Sequence, residues 1–160
     1  MKKIQLRCEN IQLQSRTANY RPNNFVGNEN LEIMQESNSH TDLLQAVQTY
    51  FDALYFCDTN LLNQVFHKSS SLFDVDTGKV FVEPIASFSK DVGGRVSPES
   101  TGQELEAEIL MIDWLSPKCV TVKIRIRAHS NVFVDHLGFV NGEDGWQIVS
   151  KIWHLEKVIP

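Results

Sequence analysis

Hydrophobic and polar positions change their rhythm twice along this chain. Residues 1–38 are polar, rich in Asn and Gln, and hold no sustained period. Such low hydrophobicity predicts a poorly ordered amino-terminal extension, relieved by two short apolar pieces at 4–6 and 11–13. Met34 is a candidate natural start, which would make the residues before it an extension. From Thr41 the pattern sharpens. Leu43, Leu44, Val47, Tyr50, Phe51, Leu54 and Tyr55 recur at i, i+3, i+4 and i+7, one face of a helix that ends near Cys57. Ser39 or Thr41 is placed to cap its start. Asp58 then caps a second, shorter helix, with Leu61, Leu62, Val65 and Phe66 on its buried side.

The period then falls toward two. Residues 71–75 and 79–82 flank Asp76-Thr77-Gly78, which predicts a small hairpin. Pro84 opens a third helix carrying Ile85, Phe88 and Val92, stopped by Gly93-Gly94, and residues 95–103 read as loop. A strand follows over 105–115, half-buried at first and then apolar on both sides, as in a sheet covered on both faces. Val120, Val122, Ile124 and Ile126 alternate with Thr121, Lys123, Arg125 and Arg127, the cleanest two-residue period in the chain. Two runs rich in Val, Ile, Phe and Trp, over 131–140 and 146–157, flank the connector Asn141-Gly142-Glu143-Asp144-Gly145 and predict a long antiparallel hairpin. Helices followed by strands indicate an α+β domain over residues 39–160, with the helices on one face of the sheet.

The totals of 160 residues and 42% hydrophobic content suit one domain with a real core. Fifteen Lys and Arg against twenty Asp and Glu give a net charge of -5, which argues against a sequence-independent grip on nucleic acid. No apolar run approaches the roughly 20 residues of a membrane-spanning helix. Three cysteines, none in a C-x-x-C pair, support neither a disulfide framework nor a structural zinc site, and a reducing, cytoplasmic setting is expected. The dispersed histidines lack a metal-binding spacing, and no glycine-rich phosphate loop occurs, so neither metal nor cofactor is expected.

Three local patterns carry a resemblance. Residues 50–67 read Y-F-D-A-L-Y-F-C-D-T-N-L-L-N-Q-V-F-H, a helix, an Asp cap and a second helix closing on Phe-His. Residues 133–137 read F-V-D-H-L, and residues 145–154 read G-W-Q-I-V-S-K-I-W-H. With the order of elements, these resemble the nuclear transport factor 2-like superfamily, and within it the putative lumazine-binding branch related to polyketide cyclases. The resemblance covers about residues 41–157. It implies a cystatin-like cone, in which a strongly bent antiparallel sheet wraps the amino-terminal helices around a pocket. It also implies a homodimer, expected through the sheet face. The chain departs from the family at Lys68-Ser69-Ser70 after His67, at Ser150 before Lys151, and at His136 after Asp135.

The candidate residues cluster at the carboxyl-terminal hairpin. Asp135 stands first, because a carboxylate desolvated inside an apolar strand suits a general base; the bland alternative is a pair with Lys151 or His154 across the hairpin. His67 and His154 each follow an aromatic residue at the end of an element, and Tyr55 ends the long helix with a phenol to direct inward. Trp114, Trp146 and Trp153 offer stacking surfaces for a small aromatic or apolar ligand, although Trp side chains more often anchor a core or an interface. Lys123, Arg125 and Arg127 form a basic stripe, expected to pair with Glu106 and Glu108 on the neighbouring strand rather than to hold an anion. Three readings follow: a protein that holds a ligand inside the cone, an isomerase, cyclase or dehydratase with Asp135 as base, and a dimeric accessory domain without ligand. A second acid or a Tyr close to Asp135 would favour the enzyme, and Asp113 is the candidate acid if it turns inward. The register of the hairpin, left open by the connector, decides whether Asp135 or His136 faces the interior.

Overall fold

A computed structural model describes residues 29–160, with side chains from residue 39; the apolar pieces at 4–6 and 11–13 lie outside the described residues. The first helix, α1 (Glu29–Phe56), begins twelve residues before the expected Thr41. No Gly or Pro interrupts residues 29–56, so the backbone continues the helix beyond its apolar stretch. Ser39 and Thr41 therefore lie inside the helix and do not cap it. Cys57 takes a positive φ of 52°, the left-handed conformation that ends a helix, and Asp58 starts the next. The Asp58 carboxylate accepts from the backbone N–H groups of Asn60 (2.8 Å) and Leu61 (3.3 Å), capping α2 (Thr59–Val65).

Helix α2 stops at Val65. Phe66 and His67, expected to close it, open strand β1 (Phe66–Asp74), whose partner β2 (Phe81–Pro84) completes the small hairpin. Pro84 then leads into α3 (Ile85–Gly93), and a short 3-10 turn at Glu99–Thr101 precedes the four long strands. These are β3 (Ala107–Ser116), β4 (Cys119–Ala128), β5 (Asn131–Gly142) and β6 (Gly145–Val158).

The six strands form one strongly curved, open sheet in the order β2-β1-β6-β5-β4-β3. The expected antiparallel pairing holds from β3 to β6, but β1 runs parallel to β6, with Leu72 opposite Lys151 and Phe73 opposite Ile152. The sheet is therefore mixed, because α2 delivers the chain to β1 in the direction of β6. Strand β3 sits at the edge and is not covered on both faces. Met111, Trp114 and Leu115 are exposed there.

The core lies between the inner face of the sheet and the helices. Leu43, Val47, Tyr50 and Phe51 from α1 pack with Leu62 and Val65 from α2, Phe88 and Val92 from α3, and Val122, Ile124, Leu137, Phe139 and Ile148 from the sheet. The α1 residues are the helical face read from sequence, and the β4 residues are its alternating apolar set. On the outer face Arg125 bonds Glu108 at 2.6 Å and Arg127 bonds Glu106, the pairing expected of the basic stripe.

Candidate functional site

From Phe133 onward strand β5 alternates. Asp135, Leu137 and Phe139 are buried on the inner side, whereas His136 is exposed. The turn decides this register: Gly142 pairs with Gly145, so only Glu143 and Asp144 lie between the strands. Gly145 adopts φ 81°, a conformation glycine tolerates without strain.

Strand β6 does not alternate cleanly. Phe139 faces Ile148, but the next step along β5, Gly138, faces Ser150, which leaves an extra residue in β6. This β-bulge reverses which side chains face inward. Alternation from Trp146 and Ile148 would carry Ser150, Ile152 and His154 to the core. Instead Lys151 is buried, Trp153 packs against the core, and Ile152 is 59% exposed.

The bulge brings Lys151 to Asp135. The Lys151 ammonium lies 3.0 Å from Asp135 Oδ2, with side-chain exposures of 7% and 0%. Tyr50, from the carboxyl-terminal part of α1, completes the cluster. Its hydroxyl donates to Asp135 Oδ2 at 2.6 Å and accepts from Lys151 Nζ at 2.8 Å. The ammonium also lies 5.2 Å from the centre of the Phe88 ring and 5.5 Å from that of Tyr50, and Arg95 covers Phe88 at 5.6 Å. Burial, then the charge of Asp135 and the hydrogen bond to it, push the Tyr50 phenol well above its ordinary pKa; Arg95 opposes this. Tyr50 therefore stays a neutral donor.

One atom of the cluster is left over. Asp135 Oδ1 is buried without a hydrogen-bond partner among the described residues. Beside it, Trp153 is the direct cross-strand partner of Asp135, and its ring meets Phe133 edge-on with centroids 5.8 Å apart. Both rings belong to the inner face, yet both stay half-buried, so the helices leave this end of the interior partly open.

The other candidates lie elsewhere. The phenol of Tyr55 donates to the carbonyl of Gln103 at 2.8 Å and ties α1 to the loop before β3. His67 Nδ1 accepts from the backbone N–H of Ser69 at 3.2 Å, a local turn contact. His154 is turned outward, where it meets Asp76 at 2.7 Å. Contacts from His154 and the Leu155 N–H hold the Asp76 carboxyl below the usual carboxylate range. Trp114 faces inward at the sheet edge, 5.7 Å from Trp146, whose indole N–H donates to the carbonyl of Ser39. Asp113 is exposed and pairs with Thr121 on the outer side, so it supplies no second acid to Asp135. Of the nominated residues, the structure gathers Asp135 and Trp153, and it adds Tyr50, Lys151 and Phe133. Tyr50 stood on the apolar face of α1 as core, and its place directly above the hairpin has no local signal.

A recess of about 330 Å³ also lies on the outer face, lined by Glu106, Glu108, Arg125, Arg127, Val132 and Lys157 among others. Its arginines are already paired with carboxylates. Among the described residues, no group of three or more His, Cys, Asp or Glu side chains could hold a metal ion.

Solved structures share this architecture. A nuclear transport factor 2-like protein of unknown function from Silicibacter pomeroyi matches 75% of this chain and 98% of its own, at 19% identity and a TM-score of 0.67. A similar protein of unknown function from Shewanella baltica matches 76% and 96%, at 21% identity and a TM-score of 0.66. A ketosteroid isomerase-like protein from Erwinia carotovora atroseptica matches 71% and 92%, at 10% identity and a TM-score of 0.52. At such identities the likeness establishes the fold alone. No curated protein matches significantly. The family model described as putative lumazine-binding matches residues 38–154, and the chain, with its nuclear transport factor 2-like fold, belongs to that family.

Proposed function

We propose that this protein binds a small, flat ligand on the Phe133–Trp153 pair beside the buried Tyr50–Asp135–Lys151 cluster. The supporting observation is the half-open inner-face aromatic pair next to a fully buried carboxylate with one oxygen unpartnered. Apolar walls with a few fixed polar groups are the usual make-up of a ligand site. Lumazine, named in the description of the family, is the first ligand to try. Catalysis by Asp135 is the weaker reading. Tyr50 stands beside Asp135, as the enzyme reading asks, but its proton is spent on Asp135 Oδ2, which also meets Lys151, and Asp113 points away.

Thermal unfolding with a panel of flat heteroaromatics tests the proposal. A ligand at about 100 times its Kd stabilises by about 2.7 kcal/mol, a rise of roughly 5–11 °C for a chain of this size. Trp153→Ala should abolish most of that rise. The proposal falls if no compound in the panel shifts the transition.

We also propose that the outer sheet face is where two copies meet. One register row crosses all six strands as Val82, Phe73, Ile152, His136, Lys123 and Met111. Val82, Ile152 and Met111 on it are exposed, although they are apolar. Light scattering of Ile152→Glu against the unaltered protein tests this: a dimer that becomes a monomer supports it, and a monomer in both refutes it.

A further inference from the structure

We infer that the buried end of the site reads a neutral hydrogen-bond donor, an N–H or O–H on the edge of a flat ring, and rejects anions. The inference rests on the ligand-binding reading above and adds the chemical class of the ligand.

It starts from the two oxygens of Asp135. An ionised carboxylate only accepts hydrogen bonds. Tyr50 and Lys151 both address Oδ2, at 2.6 and 3.0 Å. Oδ1 is as deeply buried and receives nothing from the described residues. A buried acceptor left without a donor is costly, and more so when it carries charge. A ligand edge that reaches Oδ1 gains most by donating to it.

The rest of the cluster sets the charge of that donor. Lys151 offsets the charge of Asp135, and its ammonium already meets Asp135, Tyr50 and the Phe88 ring. An anionic ligand would bring a second negative charge against Oδ1 in a medium where charges are poorly screened. A neutral N–H meets Oδ1 without that penalty. The rings set the shape. Trp153 lies directly across the strand pair from Asp135, at a separation of about 4.5–5.5 Å between Cβ atoms. A flat ring stacked on Trp153 therefore brings its edge to the carboxylate.

Matched pairs of probes test this on the full chain by calorimetric titration: indole with 1-methylindole, lumazine with 1,3-dimethyllumazine, and 2-naphthol with 2-methoxynaphthalene, plus 2-naphthoate as the anion. In each pair that binds, the N–H or O–H member should bind at least about tenfold tighter than its methylated partner, and 2-naphthoate more weakly than 2-naphthol. Asp135→Asn, whose amide donates as well as accepts, should narrow the gap within each pair. Should that variant fail to fold, the pairs on the unaltered protein still decide. Equal binding within the pairs, or preferred binding of 2-naphthoate, overturns the inference and leaves the ligand-binding proposal standing. Binding of no probe sinks both.

Discussion

Lys151→Met removes the cation from the buried cluster and keeps most of the side-chain volume. Asp135, with 0% of its side chain exposed, then retains the Tyr50 hydrogen bond but loses its counter-charge. Breaking one partner of a buried pair costs about 3–5 kcal/mol, because the remaining charge stays out of water. Domains are commonly stable by about 5–15 kcal/mol, so this loss is a large fraction. It corresponds to a fall of about 6–20 °C in Tm for a chain of this size. Urea unfolding followed by tryptophan fluorescence gives the free energy directly. Lys151→Met combined with Asp135→Leu should recover most of the loss, since an apolar pair removes the stranded charge. A loss below about 1 kcal/mol in the single variant, or no recovery in the double variant, would refute this account of the cluster.

Further outcomes can be checked in the same protein. Among the three tyrosines, Tyr50 should not ionise with the others in an alkaline absorbance titration, because its pKa is raised in the folded state. Its contribution to stability is complete below about pH 10, the unfolded value, and is lost as pH rises toward the elevated folded one; full ionisation of all three in the folded protein would contradict the geometry. Asp58→Ala removes two hydrogen bonds at the start of α2 and should cost about 1 kcal/mol in urea unfolding. Asp58→Asn, which retains a cap, should cost less, and equal losses would show that the cap is not the cause.

Much of the architecture was legible because it is written in short-range periods. The apolar face of α1, the Asp58 cap, the alternation of β4 and the partners of Arg125 and Arg127 all depend on residues a few positions apart or directly opposite. The site was legible only in part. Asp135 stood first as a charge in an apolar run, but His154 followed it as a candidate. Nothing local distinguishes the two, since both lie in mixed strand runs and the bulge that separates them depends on pairing with Gly138. Tyr55 drew notice at the helix end, whereas Tyr50, five residues earlier, holds the hydrogen bond to Asp135.

The sequence by itself determined the class of fold, the order of the elements and which face of α1 and β4 is apolar, because a 3.6- or 2-residue period needs no partner to be visible. Only the tertiary structure decided that β1 lies parallel to β6, that an extra residue in β6 turns Lys151 inward and His154 outward, and that Tyr50 descends between Lys151 and Asp135. The first and last are contacts between residues about 80 to 101 positions apart, and the bulge, though set by the nearer Gly138–Ser150 pairing, leaves no local mark in the sequence.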